Sequence, residues 1–371
     1  NNVGDTAGSD GVCLMFVNPR RIKWGIEGQR QRREIFEAAM ELKADIVGLA
    51  DVGMTTGTGS AGRYNTGYQC GAFLRDARLW GGQMTRCLYS CGRGGYRGAK
   101  HKMEGCTEGG TWRGIEEGMR GRCGRFCEDH RGWGRYAGCE LQGGAGWHRH
   151  MVVIAVLGPG RDDAAGSAWV VQMEQMKVLK KEGHSGVMED PGTQLLKDLH
   201  DLLFKQLLNK KEDVAIVMGG DFNRKWSECN SGGPLSTLKG FAESLGLVNA
   251  MVQKHGSTQW TYATDHTAPD HILVSKKLVD DVQAVGVWQG RNVCDSDHRP
   301  MAIRIHTDGW LRIPTEEVRA TAPQRKHIPQ VLRLKKEEQM LRYQKQVVRH
   351  WRREGMDTRM RRLKEAVLSW K

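Results

Sequence analysis

The chain has 371 residues, with 56 Lys+Arg against 43 Asp+Glu and a net charge of +13. Its length permits one large domain with an appendage, or two domains, and its charge points to a polyanionic partner. No apolar run approaches about 20 residues, which excludes a membrane-spanning helix, and ten cysteines are too sparse for a disulfide scaffold. Reduced thiols in an intracellular compartment are therefore expected. The chain opens on Asn1 rather than Met, as a fragment, a processed form or an incomplete gene model would. Its first fifteen residues lack the basic-then-apolar pattern of a secretory signal.

Residues 1–55 read as ordered. "EGQRQRREIFEAAMELKADIVGLADVG" predicts a helix through Glu41, with Ile35, Ala38, Ala39 and Leu42 on one face, then a strand from Ile46 to Leu49 that ends at Asp51. Residues 57–146 hold 24 of the 48 glycines. Within them "CGRGGYRGAKHKMEGCTEGG" has neither period, so the span reads as long loops between short strands, an insert, or mistranslated sequence. Order returns with a strand from Met151 to Leu157 and an amphipathic helix in "QLLKDLHDLLFKQLLNKKED". A strand from Val214 to Gly219 and a helix near "PLSTLKGFAESLG" follow, then strands in "TQWTYAT", "HILVS" and "MAIRIH". Helices alternating with short apolar strands indicate an α/β fold.

The tail from Trp310 is a separate object, carrying 17 Lys+Arg against 7 Asp+Glu. Leu334, Leu341 and Val348 recur at sevens, and Met360, Leu363, Val367 and Trp370 at threes and fours. Two basic amphipathic helices broken near Gly355 are expected. They would present a solvated face, a nucleic-acid contact whose affinity depends on salt, or a face for a partner helix.

Several strands deliver an acidic group at an end: Asp51, Asp221, Asp270, and Asp297 beside His298. Strand ends on one rim of an α/β core are where catalytic groups gather. Hard cations such as Mg²⁺ take a few carboxylate oxygens and keep waters for a phosphate. Singly, each carboxylate is what any turn or helix cap supplies; their order and spelling are the signal. The pair Gly219-Gly220 allows a sharp turn and close backbone approach before Asp221. Cys87-x₃-Cys91 and Cys123-x₃-Cys127 lack zinc-knuckle spacing and read as free thiols. The single "GRGGYRG" reads as loop.

Gly220-Asp221-Phe222-Asn223, Asp270-His271-Ile272-Leu273-Val274-Ser275 and Ser296-Asp297-His298-Arg299-Pro300 resemble the endonuclease/exonuclease/phosphatase superfamily. "DIVGLADVG" looks like its early strand ending in a metal-binding acid. "EDHRGWGRYAG" is similar to the endonuclease domains that precede reverse transcriptase in non-LTR retroelements. The likeness covers residues 12–307, with 310–371 as a basic helical tail or connector. It implies a two-sheet α/β sandwich of DNase I-like type flanked by helices, with the site at one rim.

The same resemblance implies residue roles. Asp221 would orient or deprotonate the attacking water, and Asn223 would hold the phosphate oxygen or that water. His298 would stabilise developing charge, with Asp270 fixing its tautomer. Asp51 and Asp297, with Asn18 near, would hold Mg²⁺ or Mn²⁺. Arg20, Arg299 and Trp226 are candidates for substrate contact, although core packing is the stronger claim on Trp226. Three departures stand out. The family usually has glutamate at Asp51, tyrosine at Leu157, and a polar residue near the metal at Arg20.

The implied activity is a Mg²⁺-dependent endonuclease nicking DNA, with the tail leading toward a reverse transcriptase region absent from this chain. A nuclear location follows from the presumed DNA substrate. Two alternatives are a phosphatase on inositol phosphates or other small phosphoesters, and an inactive relic that binds nucleic acid or protein.

Overall fold

The computed structural model describes residues 11–20, 22, 25–51, 84–91, 110–116, 123–131, 133–143, 149–163, 167–209, 213–226, 234–288, 293–306 and 310–311. The chain divides into two units, Asn1–Ala322 and Pro323–Lys371. The second unit, and with it the predicted basic helices, lies outside the described residues.

Among the described residues the first unit holds two six-stranded sheets. One has the order β11-β12-β1-β2-β4-β3 and the other β5-β6-β7-β8-β10-β9. The strands are β1 (Gly11–Val17), β2 (Ile46–Leu49), β3 (Met84–Cys91), β4 (Gly110–Glu116), β5 (Cys123–Glu128) and β6 (Tyr136–Gln142), then β7 (His150–Leu157), β8 (Val214–Asp221), β9 (Leu247–Asn249), β10 (Asp270–Ser275), β11 (Val282–Val287) and β12 (Met301–His306). Each sheet contains one parallel pair, β1 with β2 and β7 with β8; every other pairing is antiparallel. A parallel pair needs a crossover. Helix α1 (Gly25–Glu41) supplies it in the first sheet, and α2 (Ala168–Lys181) with α3 (Pro191–Asn209) in the second. Two short helices, α4 (Leu238–Ser244) and α5 (Ala250–His255), flank β9. Among the described residues no helix is long and apolar enough to cross a membrane.

Side-chain alternation explains the layers. Val12, Leu14 and Phe16 of β1 enter the core between the sheets, together with Met151, Val153, Ala215 and Val217. Met15 and Val17 point the other way and meet Ile35, Ala38 and Leu42 of α1. Ile216 and Met218 of β8 pack on Leu195, Leu196 and Leu199 of α3. A strand covered on both faces reads as a continuous apolar run, and "VAIVM" is one. The glycines that end this run have separate causes. A Cβ on Gly219 would lie 2.4 Å from the Phe16 ring, so the bare backbone lets the sheets close over that phenylalanine. Gly220 has φ +135, and its Cβ would lie 2.2 Å from the Val156 carbonyl oxygen. Gly220→Ala is expected to cost about 3 kcal/mol, measured by denaturant unfolding, because strain and clash act together.

Among its described residues the glycine-rich span supplies β3, β4, β5 and β6. The predicted strand "TQWTYAT" is corrected to a looped segment. Thr261 and Tyr262 both donate backbone N–H groups to Thr267 O, and Arg299 N donates to Thr261 O. Those bonds close a turn against the approach to β12 in place of a ladder. Trp310 and Leu311, read from sequence as the start of the tail, are core residues. The Trp310 indole N–H donates to His150 O at 3.1 Å, and Lys277 and Arg149 lie over its ring.

Candidate active site

Strand pairing alone gathers the acidic groups. β1 and β2 run parallel, so Asn18 and Asp51 emerge at the same edge. β12 is antiparallel to β1, which returns its N-terminal approach, Asp297 and His298, to that edge. In the second sheet Asp221 ends β8 directly opposite Asp270, which begins the antiparallel β10. A cavity of about 490 Å³ opens between these ends, and Asn18, Asp51, Asp221, Asn223, Asp297 and His298 all line it.

Asp221 is buried and held from three sides. Oδ1 accepts the Asn223 backbone N–H at 2.8 Å, and Oδ2 accepts from Asn18 Nδ2 at 2.9 Å and Asn223 Nδ2 at 3.2 Å. Asn223 Nδ2 also donates to Gly158 O at 2.8 Å. Asn223, Asp51 and Arg20 all have φ near +50, a region non-glycine residues rarely occupy. Such backbone clusters at functional sites, where the surroundings over-determine it.

His298 faces Asp270 with Nδ1 to Oδ2 at 2.8 Å. A carboxylate only accepts, so that ring nitrogen carries the hydrogen. Thr261 Oγ1 donates to the same Asp270 oxygen at 2.6 Å, and Ser296 Oγ, itself bonded to Asn18 O, accepts the His298 backbone N–H. The Tyr262 ring lies 4.9 Å from the imidazole, centre to centre.

Titration follows from this packing. Burial first, then the facing Asp270 carboxylate, push the Asp221 carboxyl up to about 8 against the pull of His298 and the Asn223 N–H. For His298, burial favours the neutral ring. The hydrogen bond and charge of Asp270, with Asp221 and Asp297, outweigh it and raise the pKa to about 9.

Asp221, Asp270 and His298 present ligand atoms within 4.8 Å of one another. Two of the three are already bonded to each other through an N–H, which suits proton and charge handling better than coordination. Hard-cation chemistry fits the neighbouring oxygens instead. Asp297 Oδ1 is buried without a partner, and Asp51 lines the same cavity. Asp297 Oδ2 accepts from the Arg20 guanidinium, so Arg20 engages this carboxylate across an exposed edge. The carboxamide of Asn18 gives its nitrogen to Asp221 and its oxygen to the Arg20 N–H.

Three sequence candidates are not part of the cavity wall: Trp226, Arg299 and Asp270, the last reaching it only through His298. Trp226 packs on the core between β8 and α3, with its ring 6.2 Å from that of His271, which is buried on β10. Arg299 lies over Trp260 at 4.0 Å and donates to its carbonyl. Conversely, Tyr262, Trp133, Arg135 and Gln172 line the cavity and had no predicted role. Tyr262 was hidden in a segment that reads as strand. Arg135 sits in "GRYAG", where nothing separates a buried arginine from a surface one.

The sheet orders, the two faces of helices and the rim define a DNase I-like α/β sandwich. No family model matches the chain, and no curated protein matches it. Among solved structures, the AP endonuclease LMAP from Leishmania major is similar, with a TM-score of 0.50 at 11% identity over 81% of this chain and 89% of that one. At that identity the likeness is one of fold.

Proposed function

We propose that the chain is a divalent-metal-dependent phosphodiesterase that nicks DNA, of the retroelement endonuclease type. The observation that carries this reading is the convergence of a fixed carboxylate–amide pair, Asp221 with Asn223, and a carboxylate–imidazole pair, Asp270 with His298, on one cavity. In the reaction Asp221 accepts the proton of the attacking water and Asn223 holds a phosphate oxygen. His298, kept as imidazolium by Asp270, offers its remaining N–H to the charge that develops on the phosphate. Asp51 and Asp297 would hold Mg²⁺ or Mn²⁺, with Asn18 near; that ion supplies electrostatic stabilisation of the phosphate and leaving oxygen. Arg20 stands where it can exchange its Asp297 partner for a substrate phosphate.

The printed name of the similar structure is that of an AP endonuclease, so abasic duplex belongs beside intact DNA in the first assay. The DNA reading carries with it a nuclear location and a connecting role for the basic tail. The assay is nicking of supercoiled plasmid with Mg²⁺, against EDTA and against excess long DNA. Metal-dependent nicking that long DNA inhibits is the expected result. Hydrolysis of small phosphoesters indifferent to DNA would move the reading to a phosphatase. A folded protein inert on every substrate would sink it and favour the relic.

A further inference from the structure

The proposed reaction gives no task to His271, a titratable group that follows Asp270 on β10 and is 1% exposed. Its surroundings fix its state. Asn249 caps α5, and its Oδ1 accepts the backbone N–H groups of Met251 and Val252 at 3.0 and 3.3 Å. Those two donors settle which end of the carboxamide is the oxygen. Asn249 Nδ2 therefore faces the imidazole and donates to His271 Nδ1 at 3.1 Å. A ring nitrogen that accepts from an N–H carries no hydrogen itself, so the hydrogen sits on Nε2. His271 Nε2 in turn donates to Arg224 O at 2.8 Å. Burial disfavours the charged ring and holds its pKa below the ordinary histidine value.

The receiving carbonyl belongs to the turn after β8 that carries Asn223. Asn223 has φ +50 there, a conformation that non-glycine residues keep only where the surroundings over-determine it. Before it, the Phe222 backbone N–H donates to Pro269 O at 3.0 Å. After it, the Arg224 guanidinium donates to Ser236 O, Asp190 Oδ1 and Thr193 Oγ1, while the Arg224 carbonyl takes the His271 N–H. The rings of Phe222 and Trp226, on either side of the turn in sequence, lie 6.1 and 6.2 Å from that of His271. We infer that His271 is a positioning residue: its neutral imidazole, set in the Nε2–H tautomer by Asn249, latches the turn that directs the Asn223 carboxamide to the phosphate. The core needs only a ring of this size at position 271, whereas the turn needs its N–H. The inference rests on the nuclease reading for what Asn223 holds, and it extends the site to a residue outside the cavity wall.

The test uses the full chain and begins with NMR at neutral pH on protein labelled at nitrogen. The ring nitrogen shifts should show His271 neutral with its hydrogen on Nε2; the other tautomer, or an imidazolium, overturns the latch. The Asn223 side-chain amide signal, identified by its loss in Asn223→Ala, reports the turn directly, because Nδ2 donates to Gly158 O and Asp221 Oδ2. In His271→Leu it should shift and exchange with solvent about tenfold faster. His271→Gln keeps an N–H at the tip of the side chain and should restore it. Nicking supplies the second arm. His271→Leu should lower kcat about tenfold with KM changed less than about threefold, and His271→Gln should recover most of the loss. In an Asn223→Ala background the same substitution should cost less than about twofold more, because a latch that acts through Asn223 has nothing left to direct. An unmoved amide in folded His271→Leu, or a loss that adds fully to that of Asn223→Ala, overturns the positioning role and leaves the nuclease reading standing. If wild type nicks nothing, the amide decides alone: a shift that His271→Gln reverses keeps the latch and removes the nuclease. Should His271→Leu fail to fold, His271→Phe, which keeps a flat ring and lacks the N–H, takes its place with the same readings.

Discussion

Asp221→Ala is expected to lower metal-dependent nicking by about 10³-fold or more while the protein stays folded. The carboxylate sits where three donors converge, from Asn18 and from the backbone and side chain of Asn223, and its removal takes away both the proton acceptor and the anchor of the phosphate-facing amide. Stability should respond differently from activity. In the metal-free native state burial and Asp270 raise this carboxyl to about 8, against an ordinary value of 3.8. Between those values the folded protein binds a proton that the unfolded chain has released, so stability falls as pH rises from about 4 to 8, by up to about 1.4 kcal/mol per unit. Asp221→Ala should lose that slope, and denaturant unfolding at pH 5, 6, 7 and 8 would measure it. A divalent ion beside the carboxylate favours its charged form and should flatten the wild-type slope as well. A variant that keeps the slope would mean that another group carries it. A variant that keeps its activity would remove Asp221 from the reaction altogether.

The sequence made much of this rim legible. Val214–Met218 is uninterrupted because β8 is covered on both faces, and Asp221, Asp270, Asp297 and His298 stand out because they fall at the ends of, or just before, β8, β10 and β12, which the pairing brings to one edge. "GVCLMFV", which forms β1, is as apolar as β8 but carries no motif, and the helix that follows it is the stronger local signal. α2 was hidden by its own composition. Its buried face holds Gln172 and Gln175 among Met176 and Leu179, which weakens the apolar stripe that would mark a helix. Trp226 was ambiguous for a reason no local pattern resolves. Whether an aromatic after a catalytic turn faces substrate or core depends on His271, which lies 45 residues away in the chain (271 − 226) and beneath it in space. Charged residues were the least readable of all. Arg135 and Asp198 look like surface groups in sequence, yet they form a buried ion pair between the start of β6 and α3.

His298→Ala and Asp270→Asn should both lower nicking near pH 7.5 by about 10²- to 10³-fold, and pH should separate them. His298 has a folded pKa of about 9 against an ordinary 6.5. Its imidazolium form is thus complete below 6.5 and is lost as pH rises through about 9, and with it both the charge offered to phosphate and the stability from the Asp270 pair. Wild-type nicking should fall along a limb near that value. Asp270→Asn removes the carboxylate whose hydrogen bond and charge do most to hold the proton, and leaves burial, which favours the neutral ring, against the smaller pull of Asp221 and Asp297. The limb should then move down by two units or more, toward or below 6.5. The same substitution takes a negative charge away from Asp221 and lowers its pKa, so the base stays available in mild acid. Asp270→Asn should therefore recover part of its activity between pH 5.5 and 6.5, about the ordinary histidine range. His298→Ala, with no proton to regain, should not recover at any pH. Rate–pH profiles of the three proteins at saturating Mg²⁺ would decide this. Identical profiles for wild type and Asp270→Asn would mean that Asp270 only orients the ring and does not hold its charge.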